Sequence, residues 1–295
     1  MAGTLQDRSV PLRRLTTFRI GGAPLLYLRP TGYRGLRSAL ERCRRCGLAP
    51  RILGGGSKLL VDDGELPFAV IHVCSPGFDW IERTGSRTVR AGAGVRLARL
   101  LGYCREAGLG GLEFLAGIPG TVGGALAGNA GAWGSSIGER LVRLWMLDQE
   151  GCPLERPAQD VAFAYRTSGL RRVVVTEAEL ELEPRPPDAI AGLMTRNVLE
   201  KARRQPTDIP NAGCVFKNPP GGSAGKMLEL CGLKGLHVGG AEVSSLHANF
   251  ICNVAGARAC DVLELVEIMR EGVRKRFGVE LELELKLWRA ERRVA

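Results

Sequence analysis

Gly111-Leu112-Glu113-Phe114-Leu115-Ala116-Gly117-Ile118-Pro119-Gly120-Thr121-Val122-Gly123-Gly124, followed closely by Gly128-Asn129-Ala130-Gly131, is the stretch on which the fold turns. Glycine is dense here, yet Ile118, Pro119 and Val122 stiffen the chain. A flexible linker would carry polar residues between its glycines. A stiff glycine loop instead suits backbone that must pass close to another backbone or to a large planar or phosphorylated group. The alternative reading is a tight crossing of backbones inside a core. A second cluster, Gly54-Gly55-Gly56-Ser57-Lys58-Leu59-Leu60, follows the apolar Arg51-Ile52-Leu53. Consecutive glycines after a strand can turn several N–H groups one way, a nest that accepts phosphate oxygens, or they can simply make a tight turn. Neither cluster is GxGxxG or GxxxxGK[ST], and Gly92-Ala93-Gly94 lacks the third glycine, so dinucleotide-fold and P-loop readings fail. Two cradles in one region point to a bound cofactor.

Outward from these loops the periodicity alternates between strand and helix. Residues 25–30, 51–53, 68–73 and 88–94 read as strands, and 34–47 and 95–107 as helices. Leu141 to Leu147, a turn at Gln149-Glu150-Gly151, and Pro153-Leu154 read as a hairpin. Residues 172–182 read as a further strand. Glu183-Pro184-Arg185-Pro186-Pro187 breaks the composition. Beyond it lie helices over 188–203 and 260–277, the second with Val262, Leu265, Val266, Met269 and Val273 on one face, and a final strand over Leu281 to Leu287 in which Leu alternates with charge. This is an α+β chain with a boundary near Pro186, giving a module over 1–185 (parts of about 1–75 and 76–185) and a smaller domain over 186–295.

The 295 residues suffice for two packed domains, and 45% hydrophobic with 24% charged residues is ordinary globular composition. A formal charge of +10 suits an anionic partner, although Arg far outnumbers Lys and solvated faces account for most of the excess. Aromatic residues are only 5% and none is interleaved with Arg on a platform, which argues against nucleic acid. No stretch has the apolar length of a membrane span, and residues 1–20 lack an apolar leader core, so the expected compartment is the cytoplasm, with the nine cysteines reduced. Cys43 and Cys46 form a CxxC inside a helix with no second pair to complete a metal site, so no metal is expected.

Five phrases recur in order along residues 16 to 285: Thr16-Thr17-Phe18-Arg19-Ile20-Gly21-Gly22, Leu53-Gly54-Gly55-Gly56-Ser57, the 111–124 stretch, Tyr165-Arg166-Thr167-Ser168, and Val215-Phe216-Lys217-Asn218-Pro219. In these the chain resembles the UDP-N-acetylenolpyruvoylglucosamine reductase family, and its shorter branch, because no Tyr-bearing loop is inserted after Tyr165. The resemblance implies a two-part FAD-binding module of the vanillyl-alcohol-oxidase (PCMH) type and a C-terminal α+β substrate-binding domain. It implies non-covalent FAD held by Gly54, Gly55, Gly56, Ser57, Lys58 and Leu59, and by Gly117, Ile118, Pro119, Gly120, Thr121, Gly123 and Gly124 with Asn129, Ala130 and Gly131. NADPH is then the hydride donor and a UDP-sugar enolpyruvyl ether the substrate, with no nucleic acid and no membrane insertion involved.

The implied reaction sends a hydride through the flavin to the enolpyruvyl β-carbon and a proton to the α-carbon. Charge develops on the substrate carboxylate, which calls for a fixed cation or donor aimed at it and a positioned acid. Arg166 matches the family's catalytic Arg, and its planar fork suits a carboxylate. Glu284 matches the second acid of a Leu-Glu-x-Glu stretch and by resemblance polarises the carboxyl in its protonated form. Taken by themselves, Glu282 and Glu284 would pass for a solvent face. Cys214 stands where the family commonly has a proton-donating Ser. A thiol, with a reference pKa of about 8.5, is a far stronger acid than an alcohol. Lys217 and Asn218 are expected at the substrate, and Glu229 and Asn249, the latter in His247-Ala248-Asn249-Phe250, near it. The family usually has Asn where this chain has Lys58. A rival reading is a flavin oxidase or dehydrogenase of the same cofactor fold acting on a hydroxy acid or alcohol, which would not require the Cys214–Pro219 phrase.

Overall fold

The computed structural model describes residues 4–7, 10–74 and 76–290. They form two compact units: Met1–Asp7, Leu26–Gly55 and Phe68–Glu200 make the first, and Arg8–Leu25, Gly56–Pro67 and Lys201–Ala295 the second.

The first unit has two sheets. One runs in the order Thr4–Asp7, Ala23–Pro30, Glu65–His72, Pro50–Leu53, with the last two parallel. Helix Tyr33–Arg45 lies on it because Leu36, Ala39, Leu40 and Cys43 recur at helical spacing and bury against Leu26, Leu28, Ala69 and Ile71. Gly47, at φ +63°, ends that helix where an L side chain would be strained. The other sheet is antiparallel, in the order Pro153–Pro157, Leu141–Asp148, Val173–Glu181, Thr88–Gly92, Ile81–Arg83. Helices Leu97–Glu106 and Val122–Ala127 share its core, with Leu100, Leu126, Leu144 and Leu180 fully buried.

The second unit is a four-stranded antiparallel sheet, Asn211–Cys214, Phe250–Asn253, Ala241–Val243, His237–Val238, packed on helix Ala259–Phe277. Val262, Leu265, Val266, Met269 and Val273 are all fully buried, as their spacing predicts. Each such burial contributes about 1.5–3 kcal/mol. Phe18, Ile20 and Leu60 join the same core, which the linear division of the sequence at 185 does not express. The 16–22 segment is tied in by Thr17 Oγ1 donating to Asn211 O (2.7 Å) and Asn253 Nδ2 donating to Phe18 O (3.0 Å).

The expected strand over 281–287 is corrected. Only Lys286–Trp288 is a strand, parallel to Leu59–Val61, and Leu283 forms an isolated bridge to Phe216. The segment changes partner part-way. Lys217 N–H donates to Glu282 O and Glu284 N–H to Val215 O, whereas Lys286 N–H donates to Lys58 O. A segment that serves two neighbours in turn bends between them, and the bend falls at Leu285. Alternation of Leu with charge records burial on both sides of that bend and not one continuous ladder.

Candidate active site

In the first unit the two glycine clusters meet. A Cβ on Gly54 would lie 2.6 Å from Thr121 Oγ1, and one on Gly55 2.7 Å from Gly120 Cα, so side chains at either position would push the loops apart. Gly117 and Gly120 adopt φ +74° and +136°. The N–H groups of Val122 and Gly123 are taken by Val95 O and Ala93 O (both 2.9 Å), and that of Gly124 points to Thr121 Oγ1 (3.4 Å). A Cβ on Gly123 would lie 2.8 Å from that of Ala93, so this position too needs a glycine for the close packing of the loop.

Behind the first cluster stands His72, which sequence reasoning missed. Its Nε2 lies 3.1 Å from Gly54 O, and its Nδ1 2.6 Å from the Tyr27 hydroxyl. Burial lowers its pKa to about 4. The neutral ring donates from Nε2 to Gly54 and accepts from Tyr27 at Nδ1. A His closing a strand directly beneath a glycine loop, in a chain with only three His, was the available signal.

The 128–131 loop is held by Asn129, whose Nδ2 donates to Ala164 O (3.0 Å) and whose Oδ1 accepts from Gly138 N–H (3.1 Å). Its side chain thus shapes the cradle. Ala164 and Thr167 exchange both backbone hydrogen bonds, which puts Tyr165 and Arg166 at the tip of a tight turn. Buried Ser168 pins that turn by donating to Ala127 O (3.0 Å). Arg166, at φ +59°, donates from Nη1 to Gly131 O (2.8 Å) and lies over the Tyr165 ring, 5.3 Å from its centroid. The structure so joins Arg166 to the loop of Asn129, Ala130 and Gly131.

In the second unit the Cys214 phrase is built on a bulge. Gly213 takes φ +79°, its N–H donates to Asn211 Oδ1 (2.9 Å), and the register slips between Asn211 and Cys214. Cys214 is half-buried opposite Phe250. Asn249, only 2% exposed, clamps the next residues: its Oδ1 accepts from Phe216 N–H (2.9 Å), its Nδ2 donates to Phe216 O (2.8 Å), and its own carbonyl accepts from Val215 N–H (2.8 Å). Both side-chain groups are engaged by the backbone of Phe216, so Asn249 fixes the position of the 215–217 segment. Asn218 Oδ1 likewise accepts from Ala224 N–H (3.1 Å), at the start of a short helix.

The two acids that alternation could not separate differ sharply. The Glu282 side chain is 72% exposed and pairs with Lys217 (2.5 Å), whereas that of Glu284 is 9% exposed and pairs with Lys58. Lys58, expected on the cofactor, thus meets the candidate acid. Leu59 is buried in the short strand that follows, and Ser57 is half-buried before it. Glu229 is exposed and paired with Lys234 (2.5 Å), whose hydrogen bond and charge hold its carboxyl below the usual range. His247 accepts from Asn249 N–H at Nδ1 (3.1 Å) and sets its ring against Phe250, and burial lowers its pKa.

Residues 205–288 match the family described as UDP-N-acetylenolpyruvoylglucosamine reductase, C-terminal domain, and residues 24–154 match that described as FAD binding domain. The chain is 44% identical over 279 residues to the UDP-N-acetylenolpyruvoylglucosamine reductase of Moorella thermoacetica, spanning 94% of this chain and 91% of that protein. The chain belongs to the UDP-N-acetylenolpyruvoylglucosamine reductase family. The enzyme of that name from Bacillus velezensis is 36% identical over 293 residues, 96% of each chain. The crystal structure of the Thermus caldophilus reductase superposes with a TM-score of 0.85 at 36% identity, covering 97% of this chain and all of that one. The first unit accordingly carries the family's FAD-binding domain, and the backbone-lined meeting of Gly54–Gly55 with Gly120–Thr121 is a floor that side chains would have filled. Among the described residues no helix is long and apolar enough to cross a membrane.

Proposed function

We propose that this chain reduces UDP-N-acetylglucosamine enolpyruvate to UDP-N-acetylmuramate, a step of peptidoglycan synthesis, using NADPH and non-covalently bound FAD. The observation that carries the reading is the backbone bond from Glu284 N–H to Val215 O (2.8 Å), beside the Asn249 clamp. It sets an enclosed carboxyl and a half-buried thiol on adjoining backbone, within the C-terminal domain that matches the family. When bound, FAD supplies the passage of a hydride from NADPH to the enolpyruvyl β-carbon. Gly54, Gly55, Gly117 and Gly120 would hold it by close backbone approach, and the 129–131 loop by its fixed shape.

The protein's own work concerns charge and one proton. As a hydride arrives at the β-carbon, the double-bond pair moves to the α-carbon and onto the carboxylate. Arg166, fixed at a turn tip by Gly131, presents a planar cation to that charge. Cys214 gives its proton to the α-carbon, and water returns one to the sulfur. Lys217 suits the diphosphate, or a cofactor phosphate, as a point charge. The rival oxidase or dehydrogenase reading leaves the bulged 211–217 segment and its clamp without a purpose.

The test is one turnover in D2O with NADPH and the enolpyruvyl ether. The product should gain two hydrogens, with solvent deuterium at the α-carbon. Consumption of NADPH without that product, or oxygen uptake with simple alcohols, would replace the reading with the oxidase one.

A further inference from the structure

We infer that His72 is a positioning residue for the flavin cofactor: its Nε2–H holds the Gly54 carbonyl and so aims the Gly55 N–H, on the opposite edge of the same peptide, at a phosphate oxygen of FAD, with Tyr27 locking the ring. The inference rests on the FAD-holding role proposed above for Gly54 and Gly55, and adds the device that sets their orientation.

The need for such a device comes from the loop itself. Gly54, Gly55 and Gly56 stand in a row. A Cβ on Gly54 would strike Thr121 Oγ1 at 2.6 Å and one on Gly55 would strike Gly120 Cα at 2.7 Å, so side chains of its own cannot stiffen the loop there. Glycine accepts both hands of backbone conformation, and a peptide between two glycines turns over at small cost. Turning over would put the carbonyl where the N–H had been. A group outside the loop must choose between the two.

His72 makes that choice. It closes the strand Glu65–His72 in parallel register with Leu53, and Val73 N–H donates to Leu53 O (2.9 Å), so its backbone is fixed beside the residue that precedes the loop. Its Nε2 lies 3.1 Å from Gly54 O and its Nδ1 2.6 Å from the Tyr27 hydroxyl. A carbonyl only accepts, so Nε2 carries the proton and the Tyr27 hydroxyl donates to Nδ1. Tyr27 is 4% exposed and meets the His72 ring edge-on, with centroids 5.9 Å apart. The ring can neither swing out nor change tautomer without breaking one of these bonds. The described residues contain no cis peptide, and a trans peptide carries its C=O and N–H in opposite directions. A Gly54 carbonyl drawn to His72 therefore sends the Gly55 N–H away from the buried ring. Among the described residues no acceptor takes that N–H. A donor fixed in this way meets an anionic oxygen without further rearrangement of the loop.

Two measurements test this. Equilibrium dialysis against FAD gives its affinity, and phosphorus NMR of the bound cofactor reports the surroundings of its diphosphate. His72→Leu removes the donor. It should weaken FAD binding on the order of 10–10²-fold, the worth of one charge-assisted hydrogen bond, and shift the diphosphate resonances. His72→Gln keeps an N–H near the place of Nε2 and should stay within about threefold of the wild type, with its resonances. Tyr27→Phe leaves the donor in place and should cost less than about tenfold. The wild type supplies a check that needs no variant to fold: FAD should move the Gly55 amide proton downfield. Equal losses in His72→Leu and His72→Gln would make His72 a packing group and overturn the inference. So would an unchanged FAD affinity in His72→Leu, or a Gly55 amide left in place while those of Gly54 and Gly56 move. If FAD binds and none of the three amides moves, the role proposed for the loop fails instead, and this inference with it.

Discussion

Asn249→Leu should loosen the segment that carries Cys214 and Lys217 without touching either. The replaced side chain is 2% exposed and makes two hydrogen bonds, from Phe216 N–H (2.9 Å) and to Phe216 O (2.8 Å). Phe216 is itself 1% exposed, so neither backbone group can turn to water. Leaving a buried donor or acceptor unmade costs about 1–3 kcal/mol each, or about 2–6 kcal/mol for the two. Leucine nearly preserves the volume, and its apolar burial offsets about 1–2 kcal/mol of that cost. The expected net loss is about 1–4 kcal/mol, a sizeable part of a typical domain's stability. Urea unfolding should show the loss. Amide hydrogen exchange should show its place, with faster exchange at Val215, Phe216 and Lys217 and none of it in the Thr88–Gly92 strand of the first unit. A loss under about 1 kcal/mol with unchanged exchange over 215–217 would refute the clamp as the device that shapes this segment.

Cys214→Ala should slow flavin reoxidation by the enolpyruvyl substrate by about 10²–10⁴-fold and leave reduction by NADPH intact, with Cys214→Ser recovering much of it; a wild-type rate in Cys214→Ala would make the thiol a packing group. Arg166→Lys keeps the charge but loses the fork that reaches Gly131 O, so the substrate step should fall while reduction by NADPH does not; equal losses in stopped-flow absorbance would assign Arg166 to the cofactor. His72 should make stability fall as pH drops from about 6.5 to about 4, because the unfolded chain binds a proton that the folded ring, its pKa lowered by burial to about 4, refuses. The full effect is about 3 kcal/mol, and His72→Gln should flatten that part of the pH profile of thermal unfolding. Identical pH slopes in the two proteins would contradict it.

The 16–22, 53–57, 111–124, 165–168 and 215–219 phrases, read as text, were enough to place the chain in its family, because each combines residue types that local physics rarely demands together. Periodicity alone placed helices Tyr33–Arg45 and Ala259–Phe277, whose apolar faces repeat at the helical interval whatever they pack against. The final segment was misread for the converse reason. Leu281 to Leu287 alternates like a strand, but its backbone serves Val215 and Lys217 first and Lys58 afterwards, and no local pattern encodes a change of partner. Nor could alternation distinguish Glu282 from Glu284. Their surroundings differ only because segment 56–61 returns from far away in the chain to place Lys58 against the second. Asn249 read as a polar residue near a ligand, and only packing showed that both of its groups are engaged by Phe216. Residue types and their spacing are local properties and survive in the sequence. Which donor faces which acceptor depends on segments tens to hundreds of residues apart, and that is decided when the chain closes on itself.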